Sequence, residues 1–231
     1  MYTKKPTGTS QGVYEKLKEQ ILHLELPPGS AISEIETAAK YEISRTPVRD
    51  AFKMLESEGL LEIKPHIGTF VSLIDLNMIS DILYTREVLE QAVLKDLSLS
   101  YDKSQEFKVQ LLLQQQWDLI HSELPDDELS RAFIISDNNY HKMLYTIAGK
   151  QNVMSFLTSI NSQYERFRTF LNLGGREGLE QLCKDHEHIW KCISAQDLEG
   201  LSTAISHHIY DGFNSSTEVV SQHPEFFRSL T

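Results

Sequence analysis

Four side chains in the second half of the chain have the types and spacing to hold a metal ion. Asp137 and His141 stand at i and i+4, one turn apart on a single helical face, and His186 and His208 lie on two later segments. Each falls on the apolar stripe of its segment. The first stripe runs Phe133, Asp137, Tyr140-His141, Leu144 and Ala148. The second runs Leu179, Leu182-Cys183, His186, Ile189-Trp190 and Ile193, and the third Leu198, Leu201, Ala204-Ile205, His208 and Gly212. His188 and His207 fall off the stripes. Burying one carboxylate and three imidazoles without partners is costly. They must therefore satisfy one another as a metal-free polar cluster, or act as an Asp/His₃ ligand set for zinc, nickel, cobalt or manganese.

A second chemistry is carried by residues 44–60, SRTPVRDAFKMLESEGL. Val48, Ala51, Phe52 and Leu55 make an apolar stripe, while Arg45, Arg49 and Lys53 recur at i, i+4 and i+8 as a basic ridge on another face. Ser44 or Thr46 can cap the start, Pro47 is tolerated in the first turn, and Gly59 is a natural stop. A short helix that buries one face and lines cations along another suits the DNA major groove. The other reading of such a ridge is a solvated surface.

The neighbouring elements decide between them. Val13, Leu17, Ile21 and Leu24 predict a first amphipathic helix, which Pro27-Pro28-Gly29 ends. Ser33 to Glu36 fits a capping box for a short second helix to about Lys40, and Tyr41–Ile43 is a three-residue turn. Helix, tight turn and basic helix make a helix-turn-helix. Leu60–Lys64 and Thr69–Leu73 predict two strands joined by Pro65-His66-Ile67-Gly68, a wing. Its Lys64, His66 and Gly68, with Thr69, are placed for phosphate or minor-groove contact.

From about Asn77 onward the spacing predicts helices at roughly 77–99, 103–123, 126–148, 151–172, 177–195 and 197–216, with breaks at Pro125, Gly149-Lys150, Gly174-Gly175 and Gln196-Asp197. The expected fold is mostly α: a winged helix-turn-helix over residues 1–74, then an all-α antiparallel bundle over 75–231. On the first bundle helix Arg86 lies on the stripe Ile79, Ile82-Leu83, Arg86, Leu89-Glu90, Val93 and Leu97. An interior guanidinium wants a carboxylate. Glu90 at i+4 is one candidate, and a carboxylate-bearing metabolite in the bundle is the other. Asn138, Tyr164 and Arg168 are further candidates to line such a pocket.

These motifs resemble a known family. Residues 12–72 are similar to the winged helix-turn-helix of GntR-family bacterial transcription regulators, through Leu26-Pro27-Pro28-Gly29, Ser44 to Ala51, Leu55 to Leu60 and Gly68 to Val71. The resemblance implies that Arg45 and Arg49 contact bases or phosphates and that Gly68 sits in the wing. Ile35 stands where some members carry a DNA-contacting Arg, and Glu42 where the turn commonly has Gly. Residues 77–216 resemble the FCD effector domain of the FadR subfamily. The resemblance rests on Arg86-x-x-Leu89-Glu90, Asp137-x-x-x-His141, Ala148-Gly149-x-x-Asn152, Asp185-His186-x-x-Ile189, Asp197 and His208-Ile209. It implies a divalent metal, zinc foremost, on Asp137, His141, His186 and His208. It also implies a small carboxylate effector (a sugar acid, hydroxy acid or dicarboxylate) and a homodimer on a palindromic DNA operator.

The 231-residue chain carries net charge −11, unusual for a DNA binder. Residues 1–75 hold nine Lys and Arg against eleven Asp and Glu, so the acidity belongs mainly to the remainder. DNA affinity must then come from a local basic face and depend strongly on salt. Cys183 and Cys192 lie nine apart on one predicted helix, roughly 13 Å, too far to bridge. Free thiols, no signal peptide and no apolar run of about 20 residues lead to the expectation of a cytoplasmic protein without a membrane partner. Met1–Ser10 is polar and expected to be disordered. The H-E-x-x-H, G-x-S-x-G and P-loop patterns are absent, and no general base is placed beside the four ligands. A metalloenzyme fused to a DNA-binding domain is therefore set aside, and the chain is expected not to be an enzyme.

Overall fold

The computed structural model describes residues 8–172 and 175–228. α1 (Ser10–Leu22) turns Val13, Leu17 and Ile21 inward, and the Thr9 hydroxyl caps it by accepting from the Gly12 amide. α2 (Glu34–Tyr41) starts at Ser33, whose hydroxyl accepts from the amides of Ile35 and Glu36. It ends at Glu42, held at φ 57°, a left-handed conformation that glycine reaches more readily. The turn thus keeps its geometry with glutamate in place. α3 (Arg45–Ser57) packs Val48, Ala51, Phe52 and Leu55 against α1, and Gly59 at φ 70° stops it. Ser44 is the cap residue by position, but its side chain makes no capping bond, contrary to the expectation for Ser44 or Thr46.

The wing is one side of a three-stranded antiparallel sheet. β1 (Ala31–Ile32), β2 (Leu61–Lys64) and β3 (Gly68–Val71) run in the order β1-β3-β2, with Lys64 opposite Gly68 and Ala31 opposite Phe70. Two residues are too few for β1 to show alternation, so it is invisible in the sequence.

The remaining elements are helices: α4 (Leu76–Ser100), α5 (Lys103–Ile120), α6 (Asp126–Ile147), α7 (Gln151–Ile160), α8 (Ser162–Asn172), α9 (Arg176–Ala195), α10 (Leu198–Asn214) and α11 (Thr217–Gln222). Their main core gathers Ile79, Leu83, Leu97, Tyr140, Phe167, Ile193 and Ile205. A smaller core of Ile120, Leu129, Phe133, Leu179 and Cys183 closes another part of the bundle. The chain end returns to the start of α4. Ile74 bridges Phe227 in parallel, its amide donating to the Phe226 carbonyl (2.9 Å) and its carbonyl accepting from the Arg228 amide (2.8 Å).

The largest departure from expectation is the single helix 151–172, which breaks at Asn161 (φ −89°, ψ −3°) into α7 and α8. No glycine or proline marks the place. The first helix ends two residues earlier than its spacing suggests, with Leu24 at φ 58°. α5 stops at Ile120 instead of 123. Of the N-terminal stretch expected to be disordered, residues 1–7 lie outside the described residues and Ser10 opens α1. Gly174, one of the expected breakers, also lies outside them; Gly175 precedes α9 at φ 106°.

Candidate functional site

α6, α9 and α10 bring Asp137, His141, His186 and His208 together, all buried. One ligand atom from each lies within 4.8 Å of all the others. The three imidazoles meet through Nε2. His186 Nε2 is 3.4 Å and His141 Nε2 4.0 Å from Asp137 Oδ1, and His208 Nε2 is 3.3 Å from His141 Nε2. His188 and His207 point to solvent, as their places off the stripes require.

The opposite ring nitrogens explain why Nε2 faces inward. Gln116 Oε1 lies 2.8 Å from His186 Nδ1, Glu90 Oε2 3.4 Å from His141 Nδ1, and Asp185 Oδ2 3.7 Å from His208 Nδ1. Only the Gln116 contact is a hydrogen bond, and it fixes the proton on His186 Nδ1 and leaves a lone pair on Nε2 for a metal; Glu90 and Asp185 stand near the Nδ1 atoms of His141 and His208 without bonding them. Tyr140 adds support, stacking on the His186 ring at 4.3 Å and donating its hydroxyl to the His186 carbonyl (3.0 Å). The residues fit a divalent ion on one specific ground: His186 Nε2 is a fully buried nitrogen without a hydrogen-bond partner, aimed at a carboxylate and two further imidazoles.

Charge supports the same arrangement. Burial pushes His186 well below the ordinary imidazole range, and His208 adds to it. His208 is also lowered, by burial first, with the Asp185 carboxylate opposing. Burial opposes ionisation of Asp137, but the Arg168 guanidinium and then the imidazoles hold its carboxyl well below the usual range. Neutral histidines and an ionised aspartate are the forms that bind metal. Cys183, nearby on α9, is not among the converging ligand atoms; burial, and after it Glu187 and Asp137, push its thiol up to about 12.

Beside the cluster lies a cavity of about 470 Å³, lined in part by Arg86, Asn138, His141, Glu165 and Arg168. A smaller one of about 60 Å³ touches Asp137, His141, His208, Tyr164 and both arginines. Arg86 does find its carboxylate in Glu90, with Nε 2.9 Å and Nη2 2.8 Å from Oε1. Arg168 donates to Asp137 Oδ2 (2.6 Å) and to Asn138 Oδ1 (3.2 Å). Tyr164 lies between the two guanidiniums, its ring centre 4.9 Å from Arg86 and 5.7 Å from Arg168. The four candidate pocket residues therefore form one connected group.

The other candidate surface belongs to the N-terminal elements, which pack around a core of their own. Ser44, Arg45, Thr46, Arg49, Lys53, Lys64, His66 and Gly68 are exposed, and Pro47 and Thr69 half-buried. Arg45 Nη2 (3.3 Å) and Arg49 Nε (3.4 Å) share a single oxygen of Glu34 on α2. Lys64 sits over the Phe70 ring and pairs with Glu62. His66 turns the wing tip at φ 64°, and Ile67 beside it is 74% exposed. Glu90 was expected as the partner of Arg86 but not beside His141, and Glu34 and Asp185 as partners, with Gln116, were not expected from the sequence. Gln116 had a signal, since it falls on the α5 stripe Val109, Leu113, Gln116, Ile120.

No helix among the described residues is long and apolar enough to cross a membrane. Residues 9–71 match the family described as bacterial regulatory proteins, gntR family, and residues 81–211 match the FCD domain. The chain is 31% identical to an uncharacterized HTH-type transcriptional regulator in unstable DNA locus of Streptomyces ambofaciens, over 93% of this chain and 88% of that one. It is 26% identical to the HTH-type transcriptional repressor RspR of Escherichia coli (strain K12), over 94% and 93%. The structure described as E. coli McbR/YncC shares the fold, with a TM-score of 0.70 over 93% of this chain and 98% of that one, at 18% identity.

Proposed function

Because this chain belongs to the GntR family of bacterial transcription regulators and carries an FCD domain, we propose that it binds a palindromic operator as a homodimer and releases or tightens it in response to a small carboxylate. In this reading the DNA-binding domain runs to residue 74 and the effector domain from 75. Arg45, Arg49 and Lys53 of α3 enter the major groove, and Lys64, His66 and Gly68 of the wing reach the backbone or minor groove. A relative named as a repressor favours repression that the effector relieves.

The observation that carries the effector half is the convergence of three Nε2 atoms and Asp137 Oδ1 beside the cavity. Asp137, His141, His186 and His208 would hold a divalent ion, zinc first. The ion would supply a Lewis-acidic anchor for carboxylate and hydroxyl oxygens. Arg86 and Arg168, with Tyr164 and Asn138, would orient the carboxylate. Asn139, Thr146, Gln151, Ser155 and Thr158 line the larger cavity. Hydroxyls and amides there favour a polyhydroxylated acid over a plain dicarboxylate, since each ligand hydroxyl needs a partner once water is displaced.

Dimerisation has its own support. Phe107 and Leu111, one turn apart on α5, are 71% and 48% exposed, and Ile135 on α6 is 61% exposed beside a groove between these helices. Apolar side chains gathered on one face are what a second copy would cover.

A second reading, with the cluster metal-free, is favoured by one observation: each buried carboxylate already has a guanidinium, Asp137 with Arg168 and Glu90 with Arg86. Thermal melts of metal-loaded and metal-stripped protein against sugar acids, hydroxy acids and dicarboxylates separate the two. A ligand of the native state raises the midpoint by mass action. The metal reading expects one class of acid to act on the loaded protein alone. If metal leaves the midpoint and every acid response unchanged, the polar-cluster reading stands instead.

A further inference from the structure

α8 has two working faces. Tyr164 and Arg168, at i and i+4, face the pocket, with Arg168 holding Asp137 and Asn138. Gln163 and Arg166, at i and i+3, lie roughly 150° away around the helix axis by its 3.6-residue period. They face the DNA-binding domain. Arg166 Nη1 donates to Ser72 Oγ (3.0 Å) and Nη2 to the Ser72 carbonyl, while Gln163 Nε2 donates to the Gly59 carbonyl (2.9 Å). Gly59 is where the chain leaves α3, and Ser72 follows β3 at the base of the wing. The two are tied to each other, since Ser72 Oγ also donates to the Gly59 carbonyl (2.6 Å).

Arg166 is an expensive residue to place here. It is fully buried, its Nε has no hydrogen-bond partner, and the described structure pairs it with no carboxylate. Burial alone draws its guanidinium down to about 10. A buried cation without a counter-charge destabilises the fold, and an apolar residue of the same volume would pack there at less cost. Docking alone does not call for it, because α8 already packs against α1.

We propose that α8 is the lever that couples the pocket to DNA, with Arg166 as the positioning residue that passes the state of Asp137 and Arg168 to the end of α3 and the base of the wing. The proposal rests on the reading of the pocket as the effector site and names how that site regulates. Asp137 can give Oδ1 to the ion and keep Oδ2 on Arg168, so an ion that fixes Asp137 fixes α8 through the guanidinium. Gln163 and Arg166 then hold the recognition helix and the wing in one relative placement.

The test is hydrogen–deuterium exchange of the full chain, stripped and then loaded with manganese ion alone. Loading should slow exchange in residues 137–141 and, through the lever, in residues 59–74, by about threefold or more in the latter. In Arg166→Met the ion should still protect 137–141 while the response at 59–74 is lost. Gln163→Leu should weaken that response without a buried-charge change, which covers a failure of the first variant to fold. A 59–74 response that survives in both variants overturns the lever, as does parent protein in which the ion protects 137–141 but not 59–74.

If the ion protects neither segment, the metal reading has failed and the lever is judged without it. In stripped protein Arg168→Met cuts α8 from Asp137 and should speed exchange at 59–74. The pair Arg166→Met and Arg168→Met should then add nothing beyond Arg166→Met alone. An unchanged 59–74 segment in a folded Arg168→Met protein, or full additivity of the two, sinks the proposal.

Discussion

Gln116 Oε1 lies 2.8 Å from Nδ1 of His186, and the other nitrogen of that ring lies 3.4 Å from Asp137. One amide on α5 therefore sets the tautomer of an imidazole on α9. His141 and His208 face carboxylates at the same position, Glu90 and Asp185. A neutral acceptor orients the ring without making it more basic, so the three imidazoles are not equivalent as ligands.

Removing that acceptor should weaken the metal site and also leave a buried ring N–H unpaired, at a cost of about 1–3 kcal/mol in stability. Gln116→Leu keeps the volume near that of the amide and should weaken zinc or manganese binding about 10- to 100-fold. Competition against a chelator of known affinity measures it. An unchanged affinity would mean that His186 is not a ligand.

His141→Ala separates metal from fold. It should abolish bound metal and the carboxylate response while leaving operator binding by the free protein largely intact. Metal analysis and DNA anisotropy on the same preparation check both halves. A loss of stability with metal content unchanged would support the polar cluster.

Acid should destabilise the ion-free protein in a definite window. His186 and His208 have lowered native pKa values, so the native state refuses protons that the unfolded chain accepts below about pH 6.5. Their contribution is absent above that value, and stability falls as the pH drops through it. Asp137 and Glu90 act lower down, since their native pKa values are depressed and their stabilisation is lost only as pH falls below about 4. Melting midpoints between pH 8 and 5 should decline, and His186→Gln should flatten the slope. A parent midpoint flat across that range contradicts the burial argument.

Arg49→Ala should abolish operator binding at physiological salt with the fold intact. Glu34→Gln should do the reverse, because Arg45 and Arg49 share its carboxylate in the free protein. Both pairs are exposed, so stability should change by less than about 1 kcal/mol. Affinity for operator and for unrelated DNA should rise together, and the salt slope should steepen by roughly one unit. Titrations at several salt concentrations read all three, and a weaker operator complex in Glu34→Gln would assign Glu34 to base or water contacts instead.

Phe107→Glu and Leu111→Glu place charge on the exposed face of α5 and should shift a dimer to monomer in light scattering at fixed concentration, with helicity unchanged. A dimer that survives both puts the interface elsewhere.

Much of this was legible in the chain because helices expose their periodicity. The stripes on α6, α9 and α10 sorted His141, His186 and His208 inward and His188 and His207 outward, since 100° per residue is local geometry. The same rule separated Val48, Ala51, Phe52 and Leu55 from Arg45, Arg49 and Lys53, and turn chemistry placed Gly59 and the wing. Tertiary structure decided what no local rule carries. Asn161 breaks a helix without a glycine or proline to mark the place. β1 exists only by pairing with β3. Gln116 meets His186 across 70 positions and Arg166 meets Ser72 across 94. Side-chain type and spacing determine which face a residue takes. Which atom it meets there depends on how distant elements pack, and a polar side chain buried by that packing must find its partner in whatever element arrives.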